Sequence, residues 1–345
     1  MNMNTGKPNV RQISKITGFS PATVSNALNM KRGVSKETAE RIFRAAEELG
    51  YSAAGKGIRN FKFVLFRRDG SIINDNPFHN YLMEGVQEEA SKNGIDTIFV
   101  RLTRGDPNYK EEVYRLTNDP NSCILLLGTE MERRDYELFR NCKSPVAILD
   151  GWCREGWFDA VAINNTDSAA QAVNYLRQRG HRKIGYIKGR FRIEAFRCRE
   201  AGFRQAMLEN GLMIDPDWIV TVGTQTETAY RDMLQWLKER SGDRLPTAFF
   251  ADNDLIAFGA MKALWENGIR IPEDVSLVGF DDLPYCAVSI PPLTTVHVHK
   301  HEMGRMAVRQ LLTMAKQKNE FHYKMECCTS QVERESVRTI EENDV

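Results

Sequence analysis

From residue 61 onward, short apolar runs alternate with amphipathic segments, and this alternation restricts the possible folds more than any other feature of the chain. Runs such as "FKFVLF", "CILLLG" and "VAILD" have the length of buried strands. A second series follows, in which "AVAIN", "KIGYIKG", "WIVTV", "TAFFA" and "VSLVGFDD" are separated by segments of helical periodicity. Strands that alternate with helices build parallel sheets covered on both faces. The sequence therefore predicts an α/β protein with two doubly wound parallel sheets and a ligand cleft at the carboxyl ends of their strands.

The residues before this region predict a separate bundle of three short helices. Asn9 can cap the first helix, and Gly18 can end it. Ser20 can cap a second helix whose first residue is Pro21, and Ser35 can cap a third. The tight turn between the first two helices is typical of a helix-turn-helix.

The second helix combines an apolar inner face with a small, polar outer face. Val24, Ala27 and Leu28 share the inner face at helical spacing. The outer face carries Pro21, Ala22, Ser25, Asn26 and Asn29. A helix that faces water usually carries Glu and Lys there, whereas a helix in the DNA major groove needs short hydrogen-bonding side chains and no carboxylates. Taken alone, the segment fits either a DNA-reading helix or a small capped helix.

The charge distribution favours the first of these interpretations. Residues 1–60 contain ten Lys or Arg against four Glu, a net charge of +6, whereas the other 285 residues have a net charge of −5. A basic segment on an otherwise acidic chain indicates a polyanionic partner for that segment alone, because Lys and Arg neutralise phosphates. We therefore predict a helix-turn-helix domain that binds double-stranded DNA.

The segment "VRQISKITGFSPATVSNALNMKRGVSKETAERIFRAAEELGY" resembles the headpiece of the LacI/GalR family of bacterial transcriptional regulators, without a gap. The resemblance implies that Pro21, Ala22 and Asn26 read DNA bases. Contacts to backbone phosphates are implied for Ser20, Thr23, Ser25, Asn29 and Ser35, and Lys31 and Arg32 flank the loop after the recognition helix. Many members have arginine in place of Asn26, so the guanine contact of that arginine does not carry over.

The resemblance divides the chain into a headpiece (residues 1–51), a linker (residues 52–60) and an effector-binding core (residues 61–345). In the family the linker forms a hinge helix whose leucine enters the minor groove of the operator. Here "SAAGKGIRNF" carries Gly55 and Gly57, lacks the usual proline-asparagine start, and offers Ile58 as the nearest wedge. Members bind palindromic operators as homodimers, and we expect the same of this chain.

The core resembles the effector-binding core of the same family, which is related to periplasmic sugar-binding proteins. The similar segments are "GHRKIGYIKG", "REAGFRQAM", "FFADNDLIAFGAMKAL", "GIRIPEDVSLVGFDD" and "PLTTVHVHKHEMGRMAV". The family's chain crosses between its two subdomains three times. This implies an N-subdomain of about residues 61–161 and 292–322 and a C-subdomain of about residues 162–291 and 323–345, with the segment after Pro292 in the first sheet and the final strand in the second.

Several polar side chains lie where strands are expected to end. Asp150, Asn253 and Asp281 follow apolar strands, and Arg199 lies early in a helix. A guanidinium and carboxylates that face one cleft can bind vicinal hydroxyls by paired hydrogen bonds, which is the chemistry of sugar recognition. The resemblance implies effector contacts for Arg199, Asn253 and Asp281, and for Asp150. The alternative is that Arg199 forms a surface ion pair and that neighbouring aspartates cap helices.

Aromatic side chains could stack on the face of a sugar. Phe78 and Trp152 are the candidates, and core packing is the alternative for each.

Other chemistry receives little support from the sequence. "HVHKH" would align His297, His299 and His301 on one strand face, but the family pattern begins a helix near His301, so we expect no metal site. The motifs G-x-S-x-G and Walker A do not occur, and we expect no cofactor and no enzyme. The seven scattered cysteines predict small buried residues and not a disulfide framework. We expect a cytoplasmic protein, since no apolar run reaches about 18 residues and the polar start has no signal-peptide core.

Three functions remain to be distinguished. The favoured one is a transcriptional regulator, most often a repressor in this family, whose operator affinity depends on a small-molecule effector such as a sugar. The others are a cytoplasmic sugar-binding protein and a sugar-processing enzyme, neither with a role at DNA. The basic N-terminal segment favours the first.

Overall fold

The computed structural model describes residues 9–28, 33–49, 60–74, 76–240, 245–316 and 320–341. The N-terminal helices are α1 (Val10–Thr17), α2 (Pro21–Leu28) and α3 (Lys36–Glu48). They pack around buried side chains that include Ile13, Val24 and Ile42. Gly18 ends α1 with a φ of 75°, and Ser20 caps α2 by accepting a hydrogen bond from the Thr23 N–H at 3.0 Å. The predicted bundle and its turn are confirmed.

The first sheet contains β1 (Asn60–Arg67), β2 (Asp96–Thr103), β3 (Ser122–Leu127), β4 (Val146–Leu149), β5 (Asp159–Ile163) and β11 (Lys324–Cys327). Within the described ranges its order is β11-β5-β4-β3-β1-β2, and the pairs are parallel. The segments between strands β1 and β4 form helices α4 (Pro77–Lys92), α5 (Tyr109–Thr117) and α6 (Arg133–Glu137). The apolar runs form strands because both faces of the sheet are covered; every residue of β3 and β4 is buried.

The second sheet contains β6 (Ile184–Gly189), β7 (Ile219–Val222), β8 (Ala248–Ala251), β9 (Ser276–Asp281), β10 (Thr294–His297) and β12 (Ser330–Val332). Among the residues with described positions the order is β12-β10-β9-β8-β6-β7, with β12 antiparallel to β10. The helices of this half are α7 (Asn165–Gln178), α8 (Glu194–Glu209), α9 (Thr226–Glu239) and α10 (Asp254–Glu266). The predicted α/β fold with two doubly wound sheets is confirmed.

The chain exchanges between the sheets at points that differ from the expectation. The predicted linker ends before Asn60, which is the first residue of β1, and the rest of it (52–59) lies outside the described residues. Strand β5 pairs with β4 in the first sheet, and β10, after Pro292, pairs with β9 in the second. After β10, α11 (Lys300–Lys316) returns to the first half, where it packs on α4. Strand β11 then joins the first sheet, and β12 crosses back to the second. The apolar pattern of a buried strand does not encode which of two similar sheets it joins.

Burial corrects the expectation for one cysteine. Cys123, Cys153 and Cys286 are buried as predicted, but Cys328 is exposed in the crossing between β11 and β12. In the described parts of the chain, the helices are all too short or too polar to pass through a lipid bilayer.

Candidate functional site

The predicted recognition helix α2 presents a face of small side chains. Pro21 and Ala22 are exposed, and Ser25 and Asn26 are half-buried at the edge of the bundle. At the helix start the hydroxyls of Ser20 and Thr23 lie 2.9 Å apart. At the start of α3, the hydroxyl of Ser35 accepts a hydrogen bond from the Thr38 N–H at 3.2 Å and remains exposed. Four other predicted DNA-binding residues lie outside the described residues: Asn29, Lys31, Arg32 and Ile58.

Arg199 is buried in the cleft and is not a surface ion pair. The residue is 3% exposed, and its Nη2 lies 3.4 Å from Oδ1 of Asp281. Its Nε donates to Oδ1 of Asn165 at 2.8 Å, and its Cζ lies 3.5 Å from the centre of the Phe280 ring. Asp281 ends β9 with a φ of 114°, a left-handed backbone conformation that costs a non-glycine residue about 1–3 kcal/mol. The end of β9 therefore places the Asp281 carboxylate next to the Arg199 guanidinium, which lies on α8.

Asp150 lies across the cleft from this pair, directly after β4. Its φ of 54° is also left-handed, and its Oδ2 accepts a hydrogen bond from the Thr129 hydroxyl at 2.6 Å. Burial raises its pKa to about 7, the Thr129 hydrogen bond and the Arg199 charge lower it, and the Asp281 charge raises it. The cleft thus contains a carboxyl group whose ionised form lacks full compensation from the protein.

Lys300 is a residue of this site that sequence reasoning missed. It is 6% exposed at the first position of α11, and its ammonium donates to the backbone carbonyls of Asp281 and Asp282. Its Nζ lies 5.9 Å from the centre of the Phe78 ring, while Phe78 itself is buried in the hydrophobic core. A lysine at a helix N-terminus opposes the helix dipole, and that anomaly is the sequence signal that could have identified it.

Asn253 acts as a helix cap. Its Oδ1 accepts the Ile256 N–H at 3.0 Å at the start of α10. The aspartates on either side are buried: Asp252 accepts from the Gly189 N–H at 2.8 Å, and Asp254 from the Thr295 hydroxyl at 2.6 Å. Burial raises the pKa of both carboxyls. The hydrogen bonds of these three consecutive residues therefore fix the end of β8 beside the cleft.

A cavity of about 290 Å³ opens beside Asp150, between the end of the first sheet and helix α8. Thr129, Tyr136, Trp152 and Asn165 are among its lining residues. At its mouth, Arg133 pairs with Glu155, Arg154 with Glu194, and Arg197 with Glu194. Trp152 is thus placed at the cavity, whereas the Phe78 ring is not among its walls.

The three histidines do not share one strand face, in agreement with the expected helix start near His301. Strand β10 ends at His297, and α11 begins at Lys300. His297 pairs with Asp282 at 2.8 Å, whereas His301 lies 3.4 Å from Glu84. In the portion of the chain with described positions, no cluster of three or more His, Cys, Asp or Glu could hold a metal ion.

Known proteins match both parts of this architecture. A family model for the bacterial regulatory proteins of the lacI family matches residues 10–53, and a model for a periplasmic binding protein-like domain matches residues 173–337. The HTH-type transcriptional repressor PurR of Haemophilus influenzae (strain PittEE) is 31% identical over 315 residues, which cover 90% of this chain and 92% of that protein. PurR of Pasteurella multocida (strain Pm70) is 30% identical over 333 residues, 96% of this chain and 98% of that protein.

Solved structures agree with these matches. A complex of the transcriptional regulator CelR with cellobiose has a TM-score of 0.72 and 25% identity, and covers 96% of this chain and 100% of that one. A lac repressor dimer bound to operator and the anti-inducer ONPF has a TM-score of 0.67 and 21% identity over 96% of this chain and 100% of that one, a likeness of fold.

Fold and matches together define a DNA-binding regulator with a periplasmic-binding-protein-like core. The chain belongs to the lacI family of bacterial regulatory proteins. It is a DNA-binding transcriptional repressor and not an enzyme, and the predicted family is confirmed.

Proposed function

We propose that this repressor binds a palindromic operator as a homodimer in the cytoplasm, and that a sugar or sugar derivative in the cleft controls its operator affinity. The headpiece (residues 1–51) reads DNA, residues 52–59 link it to the core, and the core senses the effector. The observation that carries the proposal is the buried pair of Arg199 and Asp281, which faces Asp150 across the cleft.

The charges in this cleft favour a ligand. Burying an ionised carboxylate is unfavourable unless hydrogen bonds compensate for the lost water. Asp150 has a single hydroxyl partner, Thr129, among the described side chains, and its pKa is raised to about 7. A ligand that donates hydroxyl hydrogens to Asp150 supplies the missing hydrogen bonds. Perturbed carboxyls beside a cavity are typical of binding sites.

The cavity favours a sugar. Its volume of about 290 Å³ suits a small, compact molecule, and Trp152 and Tyr136 offer apolar ring surface beside the polar groups of Thr129 and Asn165. The CelR structure was determined with cellobiose, which supports a carbohydrate in the related core. Nucleobases form the second class to be tested, because the same two aromatic rings could stack on a planar ring.

The surface of the headpiece supports operator binding. Helix α2 carries no carboxylate, its exposed residues are small, and Ser20 and Ser35 offer hydroxyls at two neighbouring helix starts. A homodimer is supported by exposed apolar side chains in one loop, Tyr285, Val288 and Ile290.

Two measurements test this function. Selection from randomised double-stranded DNA at about 0.1 M salt should enrich a palindromic sequence, and the mass of the protein in solution should equal two chains. If no sequence is enriched, the proposal of operator binding is wrong. A thermal-shift screen of cellobiose, ribose, other sugars and nucleobases should find a compound that raises the melting temperature and changes operator affinity. A compound that binds without changing operator affinity would favour the sugar-binding alternative.

A further inference from the structure

The turn after β3 contains a buried carboxylate, Glu130, that organises the loop after β1. Glu130 is 1% exposed, and its two oxygens accept hydrogen bonds at 2.8–3.4 Å from backbone N–H groups of that loop. The donors are Arg68, Asp69, Gly70, Ile72 and Ile73. Bonds to a buried, charged acceptor are stronger than bonds between neutral groups. This one side chain therefore holds the loop over residues 68–73 in a single shape.

The same loop fastens the two halves of the core to each other. The backbone carbonyl of Ser71 accepts hydrogen bonds from Oγ1 of Thr224 and Nε2 of Gln225, both at 2.9 Å. Close by, Ile72 packs against Ile193 and Phe196. We call these contacts between residues 68–74 and residues 191–196 and 224–225 the clasp. Because β1 belongs to the first sheet and α8 and α9 to the second half, the clasp spans the cleft.

The residue next to Glu130 belongs to the effector cleft. Thr129 donates its hydroxyl hydrogen to Asp150 at 2.6 Å, and both lie at the cavity of about 290 Å³. Adjacent residues of one turn thus contact the cleft and the clasp. A rigid connection of this kind lets two sites bias the same opening equilibrium.

We propose that Glu130 is the positioning residue that connects the effector cleft to the clasp and keeps the two halves of the core closed on each other. The regulatory consequence rests on the proposed function, whereas the mechanical link does not. Loss of the Glu130 carboxylate releases the loop amides, displaces the Ser71 carbonyl and opens the clasp. Residues on the far side, at the start of α9, then become more mobile.

Amide hydrogen exchange of the full chain, followed by mass spectrometry, tests the link without DNA or ligand. In Glu130→Gln, exchange should accelerate about tenfold or more over residues 68–73, and also over residues 223–229 across the cleft. Glu130→Asp keeps the charge on a shorter side chain and should give a smaller acceleration of both segments; it also serves if the Gln variant does not fold.

Asp119→Asn is the matched control. Asp119 is a buried carboxylate at the opposite end of β3, where it accepts hydrogen bonds from the Asn121 N–H and the Ser122 hydroxyl. The Asp119→Asn substitution should destabilise the same sheet without affecting a contact of the clasp, so residues 223–229 should keep the wild-type rate of amide hydrogen exchange. Acceleration over 68–73 alone in the folded Glu130 variants, or equal acceleration of 223–229 in Asp119→Asn, would overturn the proposal.

A separate operator titration keeps this inference distinct from the proposed function. With a selected operator, Glu130→Gln should respond less to the compound found in the thermal screen, tested beside ribose and cellobiose. If wild-type protein selects no operator, the function fails while the exchange result still stands. If the operator responds normally in Glu130→Gln although the clasp exchanges faster, the clasp does not carry the signal and the regulatory consequence is overturned.

Discussion

Arg199 contacts Asp281 deep in the cleft, with Nη2 and Oδ1 3.4 Å apart and the Arg199 Cζ 3.5 Å from the centre of the Phe280 ring. The pair joins helix α8 to the end of β9, two elements that are far apart in sequence. Burial raises the pKa of Asp281, while the Arg199 charge opposes that rise. The pair is therefore fixed in place, and its contact with a ligand is the part of the proposed function that a variant of Asp281 tests.

Asp281→Asn should lower the affinity for the effector found in the thermal screen by roughly ten- to a hundredfold. This loss is equivalent to about 1.5–3 kcal/mol for a lost charged hydrogen bond. Operator affinity without the compound should stay near wild type, since Asp281 lies in the core and not in the headpiece. Isothermal titration and operator titration measure the two quantities. Asp274→Asn is the control, because that carboxylate pairs with Arg270 on the surface. Wild-type effector affinity in Asp281→Asn would assign the pair a structural role only.

Asp150 should make effector binding release a proton. With a pKa of about 7, raised by burial, its carboxyl is largely protonated at pH 6, and hydrogen bonds from ligand hydroxyls favour the ionised form. Calorimetric titrations at pH 6 in buffers of different ionisation enthalpy should therefore differ in observed heat. In Asp150→Asn this difference should vanish; if it persists, another group releases the proton.

The same shift predicts how stability depends on pH. The folded chain keeps the Asp150 proton up to pH of about 7, whereas the unfolded chain loses it near 3.8. Between these values the folded state binds more protons, so this group's contribution to the unfolding free energy falls as pH rises, and it is constant above 7. Denaturant titrations from pH 4 to 8 should show a smaller decline for Asp150→Asn than for wild type. An identical slope for both would show that the carboxyl titrates normally.

Asn26→Ala should reduce discrimination between operator variants by about 1–3 kcal/mol, because a base contact contributes to sequence preference. Ser35→Ala, by contrast, should weaken specific and random DNA alike, because a phosphate contact carries no base information. Fluorescence anisotropy on the selected operator, its single-base variants and random DNA compares the two. Equal losses on specific and random DNA for Asn26→Ala would count against its base-reading role.

Gly202→Ala should lower the unfolding free energy by about 1–3 kcal/mol through overpacking. Helix α8 approaches α7 so closely at this position that an added Cβ would lie 2.1 Å from the carbonyl oxygen of Thr166. Gln205→Ala, on the exposed side of the same helix, should be near neutral. Chemical denaturation of both variants gives the comparison, and equal stabilities would mean that the two helices separate at little cost.

Local signals in the sequence predicted local structure well. The start of α2 at Pro21 and the end of α1 at Gly18 follow from short-range steric and hydrogen-bonding rules, and both are observed. An apolar side chain in a short helix is not always buried: Ile16, six residues after Val10 in α1, is 58% exposed. Six residues of helix rotate a side chain by about 240°, which takes Ile16 away from the face of Val10.

Part of the cleft was predictable, from strand ends for Asp150 and Asp281 and from the family resemblance for Arg199. Asp150 and Asp281 follow apolar runs, and both lie at the cleft. Thr129 and Glu130 after β3, and Asn165 after β5, also follow strand ends. They were missed because their partners lie on other elements and the local sequence does not show which strand-end residues have such partners. The sheet membership of β5, β10 and β11 was missed for the same reason: hydrophobic patterning specifies burial, whereas strand partners depend on three-dimensional packing.

The crossings between the sheets have a consequence for synthesis on the ribosome. The headpiece is contiguous in sequence and can fold as soon as its helices emerge, but neither half of the core can be completed early. The first sheet is completed by α11 and β11 and the second by β10 and β12, so β5 and β10 lack their last partner strands until residues 324–332 have been made. In a nascent chain the headpiece can therefore be folded while the effector-binding core is still incomplete. Truncation before β11 leaves both halves incomplete at once, so we expect loss of this short C-terminal segment to destabilise the whole core and not only to abolish the response.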